Sequence, residues 1–284
     1  MFRPRHFEHT EIQRSSSDLP VPSPSTSYTN MLDHTHIDAA LSRFVKYPAH
    51  LRKLLTETNA VISGSFAVQF FLNETWSDSD LDIDVSAEAA QGPSGELQWT
   101  NAQKLVDYLE QIEGYNCAKE AGNYSARQEI EIVKSFYGPP HHSAAYNSPQ
   151  IQLVLLKTQP TKHILTHYYA THILNFITGT AAYCLFPELT LAKKAVLFRD
   201  PGFYEEFFAR KYGAAKPERG FLLLGPDDWA DIGERTIGDE QTLVVSFGEG
   251  DSDAKDVVRG VEFAVEKHDY GRNGEKQRGF KTTC

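Results

Sequence analysis

The sequence predicts an α+β fold, and three observations carry that expectation. From Asp80 to Val85 acids alternate with aliphatic residues at the two-residue period of a strand. Ile151 to Leu156 is a short apolar run, and Ile130 and Ile132 recur at strand spacing within Gln128 to Phe136. Leu51, Leu54 and Leu55, and later Leu105, Tyr108, Leu109 and Ile112, recur at helical spacing instead.

Taken in order, residues 1–31 read as a disordered tail, because Ser15 to Asn30 is Ser, Thr and Pro with almost nothing apolar to bury. Arg3, Arg5 and Arg14 are interrupted by Glu8 and Glu11 and precede no apolar run, which argues against a targeting leader. Residues 32–200 form the expected main domain. Helices are predicted over His36–Phe44 and Ala49–Thr58, then a short segment at Val61-Ile62 runs into an apolar helix from Phe66 to Leu72. The Asp80–Val85 strand follows, then a loop from Ala87 to Glu96 and an amphipathic helix from Asn101 to Ile112, with Ile112 inward. Gln128–Phe136 and Ile151–Leu156 are expected to be antiparallel neighbours. Beyond them the pattern turns helical over His163–Ile177 and over Leu191–Tyr212, the latter broken at Pro201-Gly202. Residues 201–269 read as a helical and irregular extension packed on the core. It holds a strand at Thr242–Phe247 and a helix at Ala254–Lys267, and a flexible tail occupies 270–284.

Bulk composition excludes several classes. Three cysteines, Cys117, Cys184 and Cys284, cannot build a disulfide framework and make no metal-binding pair. A formal charge of -10 argues against a protein that coats nucleic acid, and the acidic stretch from Asp227 to Asp256 is poor in lysine and arginine. No run reaches the roughly 18 apolar residues of a membrane span. The expectation is an intracellular, cytoplasmic protein.

Chemistry concentrates between Val61 and Val85. Gly64-Ser65 stands where an apolar helix begins, so free backbone N–H groups there could seat a phosphate; the same pair also serves as an ordinary helix cap. On a strand Asp80 and Asp82 project to one side. Two carboxylates so placed repel unless a cation lies between them, and hard oxygens suit Mg²⁺ or Mn²⁺; alternating acids also occur on solvated strand faces. An EF-hand is excluded, because the residues at the obligatory Gly and Glu positions are wrong.

Together, Ile62/Gly64/Ser65 and Ser79/Asp80/Leu81/Asp82/Ile83 resemble the nucleotidyltransferase superfamily of polymerase β, poly(A) polymerases and antibiotic-modifying enzymes. The resemblance implies a mixed β-sheet flanked by helices, with Gly64, Ser65 and Ser79 at a nucleotide's phosphates and Asp80 and Asp82 binding divalent metal. It implies transfer of a nucleotidyl group from NTP to an acceptor. A longer set of segments is similar to a group of uncharacterised fungal nucleotidyltransferase-like proteins. It comprises I-S-G-S-F-A-V-Q-F-F, S-D-L-D-I-D-V, I-Q-L-V, T-H-I-L-N-F-I-T-G-T-A-A-Y-C-L-F-P-E-L-T and I-G-D-E-Q-T.

One position departs from the superfamily pattern. A third carboxylate is expected on a later strand, where this chain has Gln152, whose amide cannot accept a proton as a carboxylate does. Glu131 could replace it if strand register brought the two opposite. Otherwise the fold would be a degenerate one that binds nucleotide or protein without turnover. Asp84 lies on the face of Asp82, either assisting a second metal or solvated. Thr171 and Asn175 could reach sugar or base, with core and capping roles the alternative, and His141-His142 is a weak metal candidate.

Overall fold

The computed structural model describes residues 34–87, 90–91, 97–98, 100–122, 129–138, 150–198, 201–225, 233–248, 258, 260–272 and 275–283. The expected N-terminal tail and the His141-His142 pair lie outside these residues. Eight strands form one mixed sheet. In chain order they are β1 (Val61–Ser63), β2 (Leu81–Ser86), β3 (Asn116–Gly122), β4 (Ile130–Tyr137), β5 (Gln150–Leu156), β6 (Phe176–Ile177), β7 (Ala181–Cys184) and β8 (Leu243–Ser246). Their spatial order is β8-β7-β6-β1-β2-β5-β4-β3. The β2–β5 pair is parallel and the other six are antiparallel. The expected mixed sheet flanked by helices is therefore present.

One face of the sheet is covered by α1 (His34–Leu41), α2 (Pro48–Thr58), α3 (Gly64–Leu72) and α4 (Thr100–Asp107). Leu81, Ile83 and Val85 of β2 and Ile151, Leu153 and Leu155 of β5 pack there with Leu51, Leu55, Phe66, Phe70 and Leu105, all buried. The alternation read from the sequence thus separates core-facing aliphatics from acids on the opposite face. After Asp107 the chain widens into a π-helical turn, Tyr108–Ile112. That turn rotates Ile112 away from its expected inward position, and it is 46% exposed. Glu113 beyond it is fully buried and accepts the backbone N–H groups of Lys46 (2.6 Å) and Tyr47 (3.0 Å), which fixes the entry to α2.

Three predicted helices are corrected. His163–Ile177 divides into α5 (Pro160–His167), a 3-10 turn at Thr171–Ile173, and β6. The chain turns extended at Tyr168 (ψ 147°), and from Tyr169 to Ile177 it is buried on all sides, so it offers no amphipathic face. In Leu191–Tyr212, Pro201 starts a helix, α7 (Pro201–Lys211), after the short helix α6 (Pro187–Leu191). Proline in the first turn forfeits no hydrogen bond. Within Ala254–Lys267 the described part is extended. Strand Glu262–Arg272 pairs with Glu275–Thr283 where a frayed end was expected, and with Gly233–Thr236.

Nor does the sheet stop near residue 200, since β8 is its edge strand. The I-G-D-E-Q-T segment anchors this part of the chain. Buried Arg235 donates from Nε and Nη2 to the two carboxylate oxygens of Asp239 (2.6 and 2.7 Å) and from Nη1 to Leu185 O (3.0 Å). Among the described residues no helix is long and apolar enough to cross a membrane.

Candidate functional site

Strand pairing assembles the site. Ser63, the last residue of β1, is the antiparallel partner of Asp82, and Gln152 is the parallel partner of Asp82 on the other side. The chain leaves β1 at Gly64 with φ 65°, a left-handed conformation that L side chains rarely adopt. A Cβ placed on Gly64 would lie 2.6 Å from Asp82 Oδ2. Glycine here lets the start of α3 press against the acid. Ser63 does not cap that helix start with its side chain, and the first N–H groups of a helix suit an anion.

Ser65, Ser79, Asp80, Asp82, Asp84 and Gln152 line one cavity of about 950 Å³ together with Gly64. Ser65 Oγ is hydrogen-bonded to Ser79 Oγ. The buried Gln69 fixes both. Its Nε2 donates to Ser65 O (3.1 Å) and Ser79 Oγ (2.7 Å), while Oε1 accepts from Trp76 N (2.7 Å) and Arg43 Nη1 (3.2 Å). Gln69→Leu keeps the volume but leaves buried partners unsatisfied. It is expected to cost at least ~2 kcal/mol in denaturant unfolding and to release the loop carrying Ser79. A loss under half that size would show the network to be replaceable by water.

Among the described residues no ion pair reaches Asp80, Asp82 or Asp84. Burial raises the Asp80 carboxyl above its ordinary value, opposed by the charge of Lys211 and by the amide of Gln152, which donates to Asp80 Oδ2 at 3.3 Å. Burial, then the charges of Asp84 and Asp80, push Asp82 up to about 7. Asp84 reaches the cavity wall but is not solvated. It is 1% exposed, accepts a hydrogen bond from Tyr168 Oη (3.2 Å), and is also pushed up to about 7 by burial. Tyr168 Oη is in turn 2.7 Å from Ser63 Oγ.

Glu131 stands apart. The β4–β5 register places Ser135 opposite Gln152, and a bulge leaves Glu131 without a partner on β5. Its carboxylate pairs with Lys157 Nζ at 3.3 Å, and it is not among the residues of the cavity wall. Thr171 and Asn175 are fully buried and structural. Thr171 Oγ1 accepts from Val196 N (3.1 Å), and Asn175 Nδ2 donates to His172 O (2.8 Å).

Several wall residues come from segments that gave no local signal. Tyr204, Phe207 and Lys211 from α7, with Tyr212 and Arg219 beyond it, also line the cavity. Arg219 is held with its guanidinium carbon 4.6 Å from the Trp76 ring centroid and 5.4 Å from that of Tyr212. It donates to Asp78 Oδ1 (2.7 Å), and Lys216 donates to Asp78 Oδ2 (2.7 Å). These bonds, that from Lys216 first, hold the Asp78 carboxyl down at about 2 and tie the loop before Ser79 to the segment after α7.

Among the described residues no three His, Cys, Asp or Glu side chains are arranged to hold an ion alone. Two bare carboxylates beside an open helix start nonetheless fit a hard divalent cation whose other ligands are phosphate oxygens and water. Comparison with profiles of known protein families, with curated proteins and with solved structures gave no match.

Proposed function

We propose that the chain is a metal-dependent nucleotidyltransferase, moving a nucleotidyl group from an NTP to a small-molecule acceptor. One observation carries this reading: the space where Gly64 lacks a Cβ is filled by the carboxylate of Asp82. The helix start suited to phosphates and the carboxylates suited to a cation are thereby parts of one site. A cavity of about 950 Å³ has room for a nucleotide and a compact acceptor.

In this reading Gly64 and the first N–H groups of α3 bind the terminal phosphates, with Ser65 and Ser79 fixing their orientation. Asp80 and Asp82 would hold Mg²⁺ or Mn²⁺, which when bound neutralises charge on phosphoryl oxygens. Gln152 orients Asp80 through its amide, and Tyr168 orients Asp84. The aromatic wall from α7 excludes water from the reacting groups.

Metal with NTP is expected to stabilise the folded chain by about 2.7 kcal/mol at a hundredfold excess over the dissociation constant. Asp82→Asn should lose most of that gain. Equal thermal shifts in the two proteins would mean that Asp82 is not a metal ligand. Gln152 in place of a carboxylate favours a second reading, a nucleotide-binding module without turnover. Binding of Mn–NTP with no release of pyrophosphate would decide for it.

A further inference from the structure

Helix α7 presents one face to the cavity. Phe203, Phe207 and Lys211 follow one another at intervals of four residues, so they fall on one side of the helix, and all three line the cavity with Tyr204 beside them. With a rise of about 1.5 Å per residue, Phe203 and Lys211 stand about 12 Å apart along the helix axis. The two ends of this stripe differ in kind. Lys211 stands near the acids, and its charge favours the ionised forms of both Asp80 and Asp82. Phe203 lies at the other end and is 57% exposed.

The rings between them are engaged. Tyr204 stacks on Tyr169, 4.8 Å between centroids and 8° from parallel. Phe207 meets Tyr169 edge-on at 5.4 Å, and the Arg210 guanidinium carbon lies 5.5 Å from its centroid. Tyr169 follows Tyr168, whose hydroxyl reaches Asp84, so these contacts tie α7 to the side of the cavity that carries the acids. Phe203 differs. Among the described residues the one ring it meets is that of Tyr204, at 5.0 Å and 89°. An aromatic side chain more than half exposed beside a cavity has apolar area to offer a ligand.

We propose that Phe203 is the base-stacking residue of this site, and that the nucleobase of the NTP lies on its ring at the mouth of the cavity. The proposal rests on the transferase reading and deepens it. With the metal and phosphates at Asp80, Asp82 and the start of α3, and Lys211 beside them, the sugar and base extend along α7. The length from the phosphate chain across the ribose to the base is comparable to the span of the stripe. A phenyl ring meets every base through its π-face and carries no hydrogen-bonding group, so Phe203 confers affinity without choosing among bases.

Calorimetric titration of the full chain tests this with Mn–ATP, Mn–GTP, Mn–CTP, Mn–UTP and Mn–tripolyphosphate, the last having phosphates and no base. The wild type should bind the four NTPs within about tenfold of one another. Phe203→Ala should weaken every NTP about 5-fold or more and leave tripolyphosphate unchanged. Phe203→Trp should keep NTP affinity, which separates stacking from a loss of structure. NTP affinity unaltered in Phe203→Ala overturns the proposal, and so does an equal loss for tripolyphosphate. A preference for one base beyond about tenfold also overturns it, because polar groups would then be reading the base edge. In each of those cases the transferase reading still stands. A wild type that binds neither Mn–NTP nor Mn–tripolyphosphate overturns the transferase reading, and this proposal with it.

Discussion

Gly64→Ala is expected to abolish nucleotide-dependent stabilisation while leaving a folded protein. Two effects act at once. An L side chain at φ 65° costs about 1–2 kcal/mol against glycine. A methyl carbon 2.6 Å from Asp82 Oδ2 also forces the carboxylate out of position. Gly114 separates these effects, because its φ is 76° and nothing lies within 4 Å of a Cβ built on it. Gly114→Ala should therefore bear the backbone cost alone and keep Mn–NTP binding. Calorimetric titration of both variants, with denaturant unfolding alongside, measures the two terms. Unchanged Mn–NTP affinity in Gly64→Ala would remove the observation on which the proposed function stands.

The half of the fold legible in the sequence is the half with two unlike faces. On β2 Asp82 and Asp84 alternate with Leu81, Ile83 and Val85, so the strand announced itself, and Leu51, Leu54 and Leu55 did the same for α2. Ala181–Cys184 is buried at every position and carries no period at all. The span from Tyr169 to Ile177 failed for the same reason, its aromatic and aliphatic residues mimicking a helical repeat while packing in all directions. The C-terminal hairpin pairs locally, Arg272 opposite Glu275, but its strands are largely polar and neither carries a sustained apolar alternation.

The candidate site divides along similar lines. Gly64, Ser65, Ser79, Asp80 and Asp82 lie within 19 consecutive positions and could be read as one motif. Gln69 gave a faint signal, as the one polar residue within the apolar run from Phe66 to Leu72. Tyr168, Lys211 and Arg219 reach the cavity only through tertiary packing, so no local pattern identifies them. Asp84 shows the limit most clearly. Its place on the strand was readable, but its burial comes from Tyr168, 84 positions away.

That burial makes a strong pH dependence. The Asp84 carboxyl moves from 3.8 to about 7 on folding, so the folded state binds its proton more tightly than the unfolded chain. A group raised in this way stabilises fully below its unfolded value and loses that contribution as pH rises through the folded one. Between pH ~4 and ~7 Asp84 should withdraw up to about 1.4 kcal/mol of stability per pH unit, roughly 4 kcal/mol in total. Other groups act in the same range. Asp82 has the same sign. His172 has the opposite one, because burial lowers its imidazole to about 3 and favours folding as pH rises toward 6.5. Asp78 and Asp239, held at about 2, matter only in stronger acid. A difference measurement isolates Asp84, together with its coupling to Asp82, from the other groups. Asp84→Asn mimics the protonated carboxyl, so its stability relative to wild type should climb from pH ~4 to ~7 and level off above that in metal-free buffer. Parallel stability curves for the two proteins would show that Asp84 is ionised in the folded state throughout, with water or a cation reaching it beneath Tyr168.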